Sequence, residues 1–136
     1  MRILYVTAHD PADVASGATL LLQRVARHVA AADHEVAVLS GAIRLGLADG
    51  ATRTETDERV RIHWIGSGRR MEQDDDGNWL NPEATAYAVM LMDRWQPYVV
   101  HAHVLQTIGA DFLAEAAAHG IATVVTMHDL WWWCAR

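Results

Sequence analysis

Arg2-Ile3-Leu4-Tyr5-Val6-Thr7 is a short run rich in strand formers, and it passes directly into the polar stretch His9 to Ser16 and then a helical pattern from Gly17. A continuous apolar strand followed at once by a helix is the opening of a βαβ unit, in which the strand is buried on both faces. In such sheets the first strand lies where strand order reverses, and ligands bind beyond the carboxyl ends of the strands at that point. The loop from Ala8 to Ala18 is therefore the first place to expect a site.

The rest of the chain repeats the pattern. A helix is predicted over Gly17–Ala32, with Ala18, Leu21, Leu22, Val25, Val29 and Ala32 as its apolar stripe and Ser16 as N-cap. Asp33-His34 turns the chain into a second strand, Glu35–Ser40. Gly41 to Glu58 reads as a loop, with at most a short helix near Ile43 to Leu47. Val60–Ile65 is a third strand whose alternation, Val60, Ile62 and Trp64 against Arg61 and His63, suits a half-exposed position near a sheet edge. Gly66 to Leu80 reads as loop, and its acidic run Asp74-Asp75-Asp76 as a solvated stretch.

The next helix starts with Asn81 as cap, Pro82 at the first position and Glu83 in the first turn, and buries Ala84, Ala88, Leu91 and Trp95. Tyr98–His103 is a fourth strand. Thr107–His119 is a third helix, closed by Gly120, and Ile121–Met127 is a fifth strand. This β-α-β-loop-β-α-β-α-β order predicts one α/β domain: a Rossmann-like three-layer domain with a mainly parallel sheet in the order 3-2-1-4-5.

At 136 residues the chain is of single-domain length. Its net charge of −6 argues against a nucleic-acid partner. No apolar stretch is long enough to span a membrane. The single cysteine, Cys134, fits a reducing cytoplasm.

Parallel strands place their carboxyl ends on one rim. His9, His101, His103 and His128, four of the eight histidines, leave strands there. His101 and His103, two apart, suit a zinc pair with His9 or His128 as third ligand. They equally suit hydrogen-bonded residues at a strand end, the reading preferred because no carboxylate is placed to orient metal ligands. The His9–Ala18 loop and the helix after it offer backbone N–H groups to a phosphate, but no GxGxxG or P-loop pattern is present. Trp131-Trp132-Trp133 cannot all face one core, so an interface is expected there, with Cys134 beside it as a packed thiol.

MRILYVTAHDPADVASGAT at the start, DHEVAVLS at Asp33–Ser40, VRIHWIG at Val60–Gly66, VVHAH at Val99–His103 and above all VVTMHDLWWWC at Val124–Cys134 follow one another in a telling order. Together they resemble the N-terminal domain of glycosyltransferase family 4, the retaining enzymes with two Rossmann-like domains (GT-B). The last motif is expected as a buried strand followed by His-Asp and aromatics.

The resemblance implies sugar transfer from a nucleotide sugar, UDP- or GDP-linked, to a sugar or lipid-linked acceptor. It implies no metal and no further cofactor, and a cytoplasmic setting at most peripheral to the inner membrane face. It assigns His128 to catalysis, and Gly17, Ser16, His9, His101, His103 and Asp129 to substrate binding, with Gly17 near the donor phosphates and Asp129 capping the turn. Residues 1–136 would then form the acceptor-side domain, truncated at its C-terminal end, lacking the nucleotide-sugar domain that covers Trp131–Trp133, and inactive alone. The pattern departs from the family in having Gly17-Ala18 where two glycines are common, and Asp33-His34 where Gly-His is common.

Two alternatives stand beside this one. Ala8–Asp13 resembles the opening of zinc-dependent sugar deacetylases, but the metal-binding Asp three residues after the histidine is Ala12 here. A non-catalytic Rossmann-like binding module docking through its tryptophans is the other.

Overall fold

A computed structural model describes residues 1–68 and 79–130. The acidic run Asp74–Asp76, the tryptophans Trp131–Trp133 and Cys134 lie outside the described residues.

Six strands form one sheet: β1 (Arg2–Thr7), β2 (Glu35–Ala42), β3 (Thr52–Asp57), β4 (Val60–Gly66), β5 (Val99–Ala102) and β6 (Ala122–Val125). Among the described residues three helices flank it: α1 (Gly17–Ala31), α2 (Pro82–Trp95) and α3 (Phe112–Ala118). The order is β3-β4-β2-β1-β5-β6, parallel throughout except for the antiparallel β3–β4 pair. The expected order of the five parallel strands holds, and one hairpin strand is added at the edge.

β1 shows why an uninterrupted apolar run belongs mid-sheet. Leu4 and Val6 face a core shared with α2 and α3, including Ala88, Met92, Ile108 and Phe112. Ile3 and Tyr5 face a second core under α1, with Leu22, Ala26, Val38, Ile62 and Trp64. A strand with apolar neighbours on both sides has no polar face to spend on solvent.

Several boundaries depart from expectation. The stretch Gly41–Glu58 is not one loop, and Ile43–Leu47 is not helical: Thr52–Asp57 pairs with Val60–Ile65. This strand carries no apolar residue and is mostly exposed. Charged, β-branched edges of this kind discourage pairing with other chains.

α1 buries Thr19, Leu22, Ala26 and Ala30, whereas Leu21 is 47% exposed and Ala32 lies outside the helix as its C-cap. Small residues at 26 and 30 let α1 sit close to the sheet, which turns the helix away from the bulkier stripe. In α2, Met92 is fully buried where Trp95 was expected, and Trp95 is half-buried at the margin.

The third helix begins at Phe112 and not at Thr107, because Thr107 (φ 69°) and Gly109 (φ 81°) take left-handed backbone that breaks it. Asn81 explains that turn. Its Oδ1 accepts from Ala84 N–H (3.0 Å) to cap α2, while its Nδ2 donates to the Thr107 carbonyl (2.7 Å). A Cβ at position 109 would lie 2.8 Å from Asn81 N, so only glycine fits there. The fifth parallel strand is β6, shorter than expected and exposed along its length, with Val124 45% and Val125 41% accessible, so it is not the buried strand anticipated.

Candidate functional site

The carboxyl rim divides into two corners. At the β1–β2 corner, the β1 loop is clasped to the loop after β2 by Asp13. Its Oδ2 accepts from Ile43 N–H (2.9 Å) and its Oδ1 from Arg44 N–H (2.7 Å). A Cβ on Gly41 would lie 2.4 Å from the Ala8 carbonyl oxygen, so the two chain segments touch backbone to backbone. His9 belongs to this corner. Burial pushes its imidazole pKa down, opposed by the Asp13 charge and assisted by Arg44, and its buried Nδ1 has no partner among the described residues.

α1 starts beside this loop. Ser16 and Thr19 form a reciprocal capping box: Ser16 Oγ accepts from Thr19 N–H (3.3 Å) and Thr19 Oγ1 accepts from Ser16 N–H (2.8 Å). Ser16 and Gly17 are exposed, and nothing lies within 4 Å of where a Cβ on Gly17 would be. Gly17 is thus not required by the backbone, and the first turn, which holds no acidic residue, is open to an anion.

At the β5–β6 corner the sheet is extended by His103 N–H to the Val6 carbonyl (2.9 Å) and Thr126 N–H to the Ala102 carbonyl (2.9 Å). His101 and His103, two residues apart, share one face with Tyr5. The His101–His103 ring centroids lie 4.5 Å apart, and Tyr5 lies 5.2 Å from His101 and 5.9 Å from His103. His101 Nε2 meets Thr126 Oγ1 at 2.8 Å. His103 Nδ1 meets His128 Nε2 at 2.9 Å, with the two rings nearly stacked at 5.1 Å.

Burial governs the charge state of this row. His103 is buried and its pKa is lowered to about 4, chiefly by desolvation and then by His101 and His128. His101 is lowered by the same causes, burial first and then His128. A neutral His103 carries one ring proton. Its Nε2 is buried without a partner among the described residues, and a buried orphan donor is worse than a buried orphan acceptor. The proton therefore belongs on Nδ1, donated to His128 Nε2, and a His128 that accepts there carries its own ring proton on Nδ1.

So the structure brings three of the four rim histidines together and leaves His9 at the other corner. Asp129 is exposed beside His128. Other strand-end residues do not reach the rim. Ser40 is fully buried and donates to the Gly41 carbonyl. Asp10 accepts from Ala12 N–H and points between α1 and the sheet, near Leu22, Ala26 and Val38. Sequence reading missed Asp13, Tyr5 and Thr126. Thr126, two residues before His128, was visible only as part of a strand. Asp13 follows the ordinary signal of an Asp in a loop whose carboxylate satisfies backbone N–H groups.

Among the described residues no group of three or more His, Cys, Asp or Glu side chains is arranged to hold a metal ion, and no helix is long and apolar enough to cross a membrane. The family model described as Glycosyltransferase Family 4 matches residues 15–136. No curated protein is significantly similar in sequence. A solved structure described as "Trehalose-6-phosphate from E. coli bound with UDP-2-fluoro glucose" superposes with a TM-score of 0.51 at 11% identity, over 93% of this chain and 32% of that one. At that identity the likeness is one of fold, and this chain spans about a third of that protein's length. A match across all but the first strand and part of its loop, on a Rossmann-like half-domain of the GT-B type, places the chain in glycosyltransferase family 4.

Proposed function

We propose that this domain is the acceptor-side half of a retaining glycosyltransferase that moves a sugar from a UDP- or GDP-linked donor to a sugar or lipid-linked acceptor hydroxyl. The observation that carries this reading is the His103–His128 contact at the carboxyl rim of a family 4 domain. His128, held by His103, turns its Nδ1–H toward the donor sugar, where it donates to a sugar hydroxyl and positions the anomeric carbon with the acceptor hydroxyl on the face from which the diphosphate leaves, as retention requires, the hydroxyl proton passing to the departing diphosphate. The open N-terminus of α1 faces the diphosphate, and Gly17 leaves room for it. As the anomeric bond lengthens, negative charge grows on the departing diphosphate, and fixed N–H dipoles stabilise it without reorganising.

His101, fixed by Thr126, and His9 line the approach of the acceptor, and Asp129 holds the turn after β6. No metal or organic cofactor is required by these steps. The nucleotide-binding half belongs on a second domain in this reading. The protein then works in the cytoplasm, and residues 1–136 alone are inactive. The deacetylase alternative gains nothing, since Ala12 still occupies the position its metal ligand needs.

The test is nucleotide diphosphate release by the full-length protein over a panel of UDP- and GDP-sugars with candidate acceptors. Turnover of one donor, falling at least ~100-fold in a His128→Ala variant that remains folded at the assay temperature, is expected for a group acting at the reacting sugar. Undiminished turnover in His128→Ala would refute the assignment of His128.

A further inference from the structure

A cavity of about 340 Å³ lies on the sheet face away from α1, between β3, β4 and α2. Its floor includes Leu4 and Ala37, and its walls carry Thr54, Arg61, His63, Tyr87, Arg94 and Trp95. A second cavity of about 220 Å³ shares Ala37, Arg61 and Trp95 with it and continues past Thr56. Arg61 is the second residue of β4 and Arg94 stands in the last turn of α2. The space is therefore toward the amino ends of the strands, away from the histidine rim.

What sets this cavity apart is its unmatched charge. Arg27, Arg53 and Arg59 sit in ion pairs, and Arg2 donates to the Gln96 carbonyl. The Arg61 and Arg94 side chains have no hydrogen bond or ion pair among the described residues, and no carboxylate lines the 340 Å³ cavity with them, whereas Glu35 lines the adjoining one. Two guanidinium groups thus line one concavity in a chain whose net charge is −6. The larger cavity of about 500 Å³ near Arg2, Asp93 and His119 differs, because its charged groups already satisfy one another: His119 meets Asp93 at 3.1 Å.

The rest of the lining is that of a small-molecule site: aromatic and apolar walls with a few convergent polar groups. Trp95, Tyr87, Met90 and Leu91 supply the walls. His63 Nδ1 already has Thr54 Oγ1 at 2.9 Å and Tyr87 OH at 3.3 Å, so one side of the pocket is pre-arranged.

We propose that this cavity binds a small oxyanion, phosphate or carboxylate, carried on an aromatic or apolar body. The guanidinium groups of Arg61 and Arg94 clamp the anion, since their planar donor forks match both oxyanions. Trp95 and Tyr87 pack against the body, and the adjoining 220 Å³ gives it room. The site is independent of the transferase reading.

The test is ¹H–¹⁵N NMR of the protein titrated with inorganic phosphate, phenyl phosphate and benzoate. Saturable shifts are expected at Thr54, Arg61, His63, Tyr87 and Arg94, with phenyl phosphate or benzoate binding at least ~10-fold more tightly than inorganic phosphate. Tighter binding of phenyl phosphate assigns a phosphate head, and tighter binding of benzoate a carboxylate. Arg61→Ala and Arg94→Ala remove exposed guanidinium groups and are expected to leave the fold intact while each weakens binding ~10-fold or more. Absence of saturable shifts, or shifts that persist in a folded Arg61→Ala/Arg94→Ala variant, would overturn the proposal.

Discussion

The two corners of the carboxyl rim are held by different chemistry. At β1–β2 a carboxylate, Asp13, satisfies two backbone N–H groups, and glycine packing brings the chain segments together. At β5–β6 the contacts run between side chains, through His101, Thr126, His103 and His128, and His103 is left with an unpartnered buried nitrogen. The first corner is clasped by a charged acceptor on two backbone N–H groups, with His9 Nδ1 the buried nitrogen beside it that has no partner among the described residues. At the second, burial lowers the pKa of His101 and His103, and the side chains hold one another rather than the backbone, the pattern expected of groups kept for a ligand.

The sharpest way to break this contrast is Asp13→Ala. It frees two N–H groups from a charged acceptor and is expected to destabilise by about 2–4 kcal/mol in chemical denaturation. A loss below about 0.5 kcal/mol would show that the clasp is not structural. At the histidine corner the corresponding effect is pH-dependent. The folded pKa of His103 is about 4 against an unfolded value near 6.5. The unfolded chain therefore binds more protons between these values, so stability falls as pH drops from about 6.5 toward 4 and levels off below. The His103 share of that loss is of order 3 kcal/mol. His101, His63 and His9 are lowered too and add to it with the same sign. Denaturation midpoints across this range should fall, and His103→Ala should flatten the slope.

His128→Ala removes one partly buried ring and is expected to cost about 1 kcal/mol of stability, a small change beside the loss of transfer it should cause. Gly17→Ala is the mildest. With open space where the Cβ would go and no left-handed backbone to strain, melting should move by no more than about 0.5–1 kcal/mol, upward, as alanine favours the helix. If activity falls nonetheless, the space over Gly17 is used by substrate.

Much of this was legible from sequence, for identifiable reasons. β1 and β2 declare themselves because strands buried on both faces need continuous apolar runs. The caps at Ser16 and Asn81 follow from side-chain chemistry one turn long. β3 escaped because an exposed edge strand buries nothing, so Thr52, Thr54 and Thr56 were its only signal, an alternation of β-branched residues. The broken start of α3 depends on Asn81 reaching Thr107, a contact 26 residues apart that no local pattern encodes. At the site, the gathering of histidines on one rim followed from strand direction alone. The separation of His9 from the other three, and the pairing of His103 with His128, required the register of β5 against β6.

The most direct test of the histidine corner is ¹⁵N NMR of the imidazole nitrogens through a pH titration from 7.5 to 4. His103 is expected to stay neutral to about pH 4 with its proton on Nδ1, and His128 to carry its proton on Nδ1 in its neutral form. A His103 that titrates near 6.5, or a neutral His128 protonated on Nε2, would contradict this, because neither ring would then be held for a ligand by the other.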